Sequence, residues 1–348
     1  MMIPNNLNIL DMHAAGEPVR IILPGQIPLK GKTILEKRQD MKRRFDPLRT
    51  ALMQEPRGHA DMYGAVLTEP CDPRADIGVL FMHHSGYSTM CGHATIALGR
   101  YLYDDHLKGH PDSPRRTFRI ECPCGPVEVR LTRDDTGELA CAFDSVDCFV
   151  EGMGEIAEIE GLGQVTYDIA YGGAYYAILP SSALGLDFYA TDVTRLADTA
   201  RKITKHLRKA RPIAHPMAKD LSFLYGTILT DDIGPQDNAI SHNLCLFGAG
   251  QIDRSPTGSG VSARMALYHH KGLLREGQTL AFAGPSGIPF YARLCRETPQ
   301  GVSVTVSGSG HYLSRGEIRF DTHDPLGQGF TLPQQFAALK HAGQTEMS

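Results

Sequence analysis

Short apolar runs, each about the length of a strand and bounded by Gly, Pro, Asn or Asp, recur along most of the chain. They include NILDMHAAGEPVRIIL (8–23), DMYGAVLTEP (61–70), ADIGVLFMH (75–83), RTFRIECPCGPVEVRLT (116–132), GELACAFDSV (137–146) and DIAYGGAYYAILP (168–180). The second half continues with FLYGTILTDD (223–232), NLCLFGAG (243–250), TLAFAGPSG (279–287), FYARLCRE (290–297), VSVTVSGSGHYLS (302–314) and GEIRFDTH (316–323). β-Branched and aromatic residues in such runs, with turn formers at their ends, predict strands. Helical spacing is rarer. Ile34, Leu35, Met41, Phe45, Leu48 and Leu52 trace one helical stripe, broken at Pro47. Segments 92–105, 193–210 and 259–272 are the other predicted helices, the last ending on Gly272 as a C′ glycine. The pattern predicts a strand-rich α+β protein with one notable helix in each half.

The halves also resemble each other. Shifted by 166 positions without a gap, DIGVLFMHHSGYSTMCGHATIA (76–97) lies over HNLCLFGAGQIDRSPTGSGVSA (242–263). Leu80 and Phe81 fall on Leu246 and Phe247, Cys91-Gly92 on Thr257-Gly258, and His93 on Ser259. In each copy a strand leads through a loop to a small hydroxyl- or thiol-bearing residue, then to a glycine that opens a helix. This predicts a duplication into two similar halves.

Composition narrows the function classes. The 348 residues suffice for two domains or one bilobal fold, and a net charge of −4 gives no electrostatic case for nucleic acid or an anionic membrane. No apolar run approaches the roughly 20 residues that span a bilayer, and MMIPNNLNILDMH does not read as a signal peptide. The eight scattered cysteines then read as reduced thiols of a cytoplasmic protein. Cys122 and Cys124 form a C-x-C pair without a second pair, so no metal site is expected.

Two loops carry the candidate chemistry. Gly92 lets backbone approach a ligand, and the helix that starts there offers free N–H groups and a positive dipole end. That setting is expected to lower the Cys91 thiol pKa and to favour an anion nearby. In DRSPTGSG, Pro256 fixes the entry to a second helix start, and Gly258 and Gly260 free it. The alternative there is an ordinary N-cap by Thr257 or Ser259. Facing each other, the two helix starts could hold one carboxylate, with Cys91 and Thr257 on opposite faces of the ligand and Asp253 binding its ammonium. This constellation fits α-proton abstraction from a free amino acid. A cysteine-protease arrangement fits less well, because the His93 side chain is expected to point down its own helix. No P-loop, dinucleotide fingerprint or pyridoxal phosphate lysine is evident, so no cofactor is expected.

The stretches DMHAAGEPVRI (11–21), EPRGHADMYGAVL (55–67), MCGHATIA (90–97), YGGAYYAI (171–178) and DRSPTGSG (253–260) resemble the proline racemase family in its order over most of the chain. The resemblance implies two similar lobes, each a barrel-like, mainly antiparallel sheet around a central helix, as in diaminopimelate epimerase, with the active site in the cleft. It divides the chain into 1–165 and 166–348, the last segment being free to return to the first lobe. It also implies a cofactor-free homodimer acting on a small imino acid. Racemases of this family use two thiols; Cys91 matches the first, and Thr257 stands where the second would be. A hydroxyl is far less acidic than a thiol, whose free pKa is about 8.5. The Cys/Thr pair therefore implies abstraction by Cys91 from one face and loss of a β-hydroxyl, as in the trans-3-hydroxy-L-proline dehydratases of the family. The resemblance places the substrate carboxylate on the backbone N–H groups of Gly92, His93, Gly258 and Ser259, and the ring nitrogen on Asp253. It gives His93 a backbone role only, Gly172 and Gly173 a packing role near the pocket, and Arg57 and His59 a structural or dimer-contact role. The alternatives are a 4-hydroxyproline 2-epimerase or proline racemase that tolerates Thr257, and a non-catalytic amino-acid-binding protein.

Overall fold

The computed structural model describes residues 4–109, 115–133 and 137–332. Residues 1–3 and 333–348, the outer ends of the two expected lobes, lie outside the described residues. The first series of elements is β1 (Asn6–Ala14), β2 (Glu17–Ile22), α1 (Ile34–Arg44), α2 (Asp46–Met53), β3 (Tyr63–Thr68), β4 (Ile77–His83), β5 (Gly86–Ser88), α3 (Gly92–Gly109), β6 (Thr117–Cys122), β7 (Gly125–Arg133) and β8 (Leu139–Asp144). The second is β9 (Phe149–Ile159), β10 (Gly163–Tyr171), β11 (Tyr175–Pro180), α4 (Val193–Ala210), β12 (Leu224–Thr230), β13 (Ser241–Phe247), β14 (Gln251–Ile252), α5 (Gly258–His270), β15 (Thr279–Ala283), β16 (Pro289–Thr298) and β17 (Gly301–Arg319).

Strand pairing closes two rings with the same grammar. In the first, β1–β2 is antiparallel, β2–β3 parallel, β3–β4 antiparallel and β4–β6 parallel; β6, β7 and β8 follow as antiparallel neighbours. In the second, β10–β11, β11–β12, β12–β13, β13–β15 and β15–β16 repeat those senses in order. The strand that ends each ring crosses to the other. β9 follows β8 but pairs with β10, and its entry Cys148 bridges Val302 of β17. The start of β17 pairs with β16, whereas Gly310–Arg319 runs against β1 and closes the first ring. Closure leaves few bare strand edges. A cut between residues 165 and 166 passes through β10.

Each ring wraps one helix. α3 lies against β1, β2, β7, β8 and β17, and α5 against β9, β10, β11, β16 and β17. Every residue of α5 from Gly258 to Leu267 is buried, including Ser262 and Arg264. A helix without a polar face must be enclosed, and Arg264 is accommodated by Asn243 Oδ1 at 2.7 Å and Ser241 Oγ at 2.9 Å. α4 contrasts with it. Leu196, Ala200, Ile203 and Leu207 form one buried stripe, and Asp192 caps the helix by accepting from Thr194 N at 2.7 Å.

Most predicted elements are present, with Pro47 in the first turn of α2 after a break at Phe45 and Gly272 at φ +71 after α5. Two differences have physical causes. β9 has only Ile159 buried and carries Gly152 and Gly154, so it lacks an apolar signal. The runs 302–314 and 316–323 belong largely to one 19-residue strand. Two of its glycines are demanded by close approach: a Cβ on Gly308 would stand 2.6 Å from the Phe290 ring, and one on Gly310 would stand 2.9 Å from Ala97 Cα. Among the described residues, no helix is long and apolar enough to cross a membrane.

Candidate active site

The two central helices meet start to start. A Cβ on Gly92 would lie 2.5 Å from Gly258 Cα, and one on Gly258 would lie 2.7 Å from Gly92 Cα. No side chain fits between them, so both motif glycines are fixed by backbone contact. The N–H groups of Gly92 and His93 in α3 and of Gly258 and Ser259 in α5 are first-turn amides, which have no acceptor within their own helix. Gly172 and Gly173 pack on the same junction. A Cβ on Gly172 would reach 2.1 Å from Ser259 O, and one on Gly173 would reach 2.8 Å from Met90 Cβ. Thr89 Oγ1 donates to Gly173 O at 2.8 Å.

The junction borders a small cavity of about 20 Å³ walled by Tyr63, Met90, Cys91, Gly92, His93, Tyr176, Tyr225, Phe247, Asp253, Thr257, Gly258 and Ser259. That is room for about one water. All seven residues expected at the site are therefore brought together. Arg57 and His59 are not part of the wall. Arg57 instead donates to Gly327 O at 3.1 Å and pairs with Asp324, fastening the segment after β17.

On the α3 side, Cys91 is 5% exposed. Ala94 N–H donates to its Sγ at 3.4 Å, and Tyr63 walls the same cavity. Burial nevertheless raises the thiol pKa well above its ordinary value; the Ala94 N–H and the nearby Tyr63 hydroxyl oppose this, and the charges of Asp253 and Glu17 add to it. The expected lowering by the helix start is thus outweighed by desolvation. His93 also differs from expectation. Its ring turns toward the thiol, with Nδ1 3.1 Å from Cys91 Sγ, rather than down α3. Burial pushes its pKa down to about 3, so the ring is neutral and can exchange hydrogen bonds with the thiol or a ligand.

On the α5 side, Thr257 holds φ +65, a left-handed conformation that costs a β-branched residue about 1–3 kcal/mol. It does not cap its helix. Its hydroxyl donates to Asp253 Oδ2 at 2.8 Å. A hydroxyl has one proton, so Thr257 faces the cavity as an acceptor. Ser255 N–H binds Asp253 Oδ1 at 2.8 Å, and burial pushes the Asp253 carboxyl up to about 6 despite both bonds. The loop is anchored from behind: Asn243 Nδ2 donates to Pro256 O at 2.9 Å, and Arg254 N–H donates to Glu17 Oε2 at 2.7 Å. Glu17 is fully buried and its pKa is raised well above the ordinary value, first by burial and then by the Asp253 charge. Ser259 Oγ and the Tyr176 hydroxyl share a 2.7 Å bond.

Sequence reasoning missed Tyr63, Met90, Tyr176, Tyr225 and Phe247 as wall residues. All sit in apolar strand or loop runs that read as core, and only their place beside the motif loops marks them. Among the described residues, no cluster of His, Cys, Asp or Glu is placed to hold a metal ion.

The profile of the proline racemase family matches residues 9–331. The chain is 44% identical over 334 residues to the Homo sapiens trans-3-hydroxy-L-proline dehydratase, covering 94% of each chain. It is 42% identical over 331 residues to the Xenopus tropicalis trans-L-3-hydroxyproline dehydratase, covering 94% of this chain and 95% of that one. Among solved structures, a hydroxyproline epimerase from Agrobacterium vitis with bound trans-4-hydroxy-L-proline superposes with a TM-score of 0.87 at 23% identity, over 96% of this chain and 97% of that one. The chain belongs to the proline racemase family.

Proposed function

We propose that the chain is a cofactor-independent dehydratase that converts trans-3-hydroxy-L-proline to Δ2-pyrroline-2-carboxylate, which tautomerises to the Δ1 imine. The relatives named as trans-3-hydroxyproline dehydratases, similar over nearly the whole chain, support the substrate. The observation that carries the mechanism is the asymmetry of the two helix starts. A thiol faces the cavity from α3, and from α5 comes a hydroxyl whose proton is committed to Asp253.

Cys91, as thiolate, takes the α-proton from one face. The amides of Gly92, His93, Gly258 and Ser259 hold the carboxylate and stabilise the charge that develops on it. Asp253 and the Thr257 oxygen accept from the ring nitrogen. With no thiol on the α5 face and the Thr257 proton held by Asp253, the carbanion is not reprotonated by Thr257 and expels its 3-hydroxyl. In the trans-L isomer that hydroxyl is cis to the α-hydrogen, so both leave from the Cys91 side. The cavity is smaller than a five-membered ring, so the two rings of strands part to admit substrate. These rings serve as lobes, joined where β9 and β17 cross between them. On the same reading the enzyme is a cytoplasmic homodimer.

The test is direct. Trans-3-hydroxy-L-proline, trans-4-hydroxy-L-proline and L-proline are each incubated with the protein, and imine formation and α-inversion are followed. The expected result is imine from the 3-hydroxy compound alone. Inversion of the 4-hydroxy compound without imine from the 3-hydroxy compound would sink this reading in favour of an epimerase, and no reaction with any of them would favour a binding protein.

A further inference from the structure

The proposed reaction, on which this inference rests, needs a proton for the departing oxygen on the Cys91 side of the ring. The groups around the cavity that carry an exchangeable proton can be sorted by what holds them. Thr257 gives its proton to Asp253, and Tyr176 and Ser259 are bonded to each other on the α5 side. His93 is neutral, its pKa held near 3 by burial, so it is not a cationic acid. Tyr225 comes from β12 of the second ring, and its ring stacks on Phe247 at a centroid distance of 5.6 Å.

Tyr63 stands apart. It opens β3 and is 2% exposed, and its ring meets His93 edge-on at a centroid distance of 4.9 Å. Its hydroxyl is bonded to Ser88 Oγ, at the end of β5, and Tyr63 walls the same small cavity as the Cys91 thiol. The phenol therefore sits beside the base, on the face from which the hydroxyl leaves.

We propose that Tyr63 is the general acid of the dehydration, its phenolic proton passing to the 3-hydroxyl as the C3–O bond breaks. The balance closes within the site. The Cys91 thiolate takes the α-proton and becomes a thiol. The electron pair left on Cα forms the Cα–C3 double bond, and the C3–O pair leaves with the oxygen. That oxygen takes the Tyr63 proton and departs as water. The Tyr63 phenolate then recovers a proton from the Cys91 thiol within the cavity they share, restoring thiolate and phenol. Both transfers run downhill on free-group values: water is about 15.7, a phenol about 10 and a thiol about 8.5. No outside proton is consumed.

The experiment uses Tyr63→Phe in the full chain with three readouts: imine from trans-3-hydroxy-L-proline, α-deuteration of L-proline in D2O, and fluoride release from trans-3-fluoro-L-proline. Fluoride leaves without needing a proton. The expected result is that imine formation falls by about 10²–10⁴-fold, while deuteration and fluoride release fall by no more than about tenfold. Imine formation within tenfold of wild type overturns the proposal, and so does an equal loss in all three readouts. Failure of the wild type itself to make imine would instead overturn the functional reading. If Tyr63→Phe does not fold, Tyr63→3-fluorotyrosine preserves the ring and lowers the phenol pKa. The alkaline limb of the dehydration profile then moves to lower pH, and an unmoved limb overturns the proposal.

Discussion

The starts of α3 and α5 occupy matching places, 166 residues apart, and meet glycine to glycine, yet they offer opposite chemistry. At the first, Cys91 has a neutral His93 at 3.1 Å and the Tyr63 phenol in the same cavity wall. At the second, Thr257 is held in a left-handed backbone with its proton tied to a buried carboxylate. The shared part, two helix starts sealed by Gly92 and Gly258, suits any amino acid carboxylate. In the proposed reaction the unshared part decides the outcome. A base on one face and a threonine with its proton tied up on the other favour elimination over inversion.

The largest expected effect comes from emptying the first side. Cys91→Ala should lower imine formation by at least about 10³-fold. Activity within tenfold of wild type would show that another group takes the α-proton. Making the sides alike comes next. Thr257→Cys restores a second thiol and relieves a β-branched residue from φ +65. Measurable inversion of trans-4-hydroxy-L-proline, absent in the wild type, should appear, and persistent retention would break the two-faced geometry.

A smaller effect is expected from pH. In the proposed reaction Asp253 works as a carboxylate, and burial raises its pKa to about 6, above the usual aspartate range. kcat/KM should therefore fall as pH drops through about 6. At the other end it should rise with pH until Cys91 ionises, above the ordinary thiol value, because burial disfavours the thiolate. A profile flat from pH 5 to 7 would contradict the role of Asp253. The smallest effect is on stability. Gly92→Ala forces a methyl against Gly258 Cα and should cost about 1–3 kcal/mol, read as a loss in Tm. Gly161→Ala, at φ +75 with only the end of Lys202 near it, carries backbone strain without a clash, whereas Gly92→Ala carries the clash without a positive φ.

Much of this was legible in the sequence, for identifiable reasons. Alternating runs bounded by turn formers gave most strands, and the 166-residue shift gave both helix starts because backbone contact permits only glycine at 92 and 258. Three things were hidden. β9 is mostly half-buried or exposed and carries glycines, so no buried apolar face marks it as a strand. The tyrosines of the wall share the apolar pattern of the core around them. The His93 ring position and the raised pKa of Cys91 depend on how completely the junction is enclosed, which spacing along a chain does not report.

The central claim is that protons move only on the Cys91 face. L-Proline has no 3-hydroxyl to lose, so its incubation with wild-type protein in D2O, followed by chiral separation and mass spectrometry, reads proton traffic alone. The account predicts α-deuterated proline that is still L. Deuterated D-proline would contradict it, because it would require an acid on the Thr257 face.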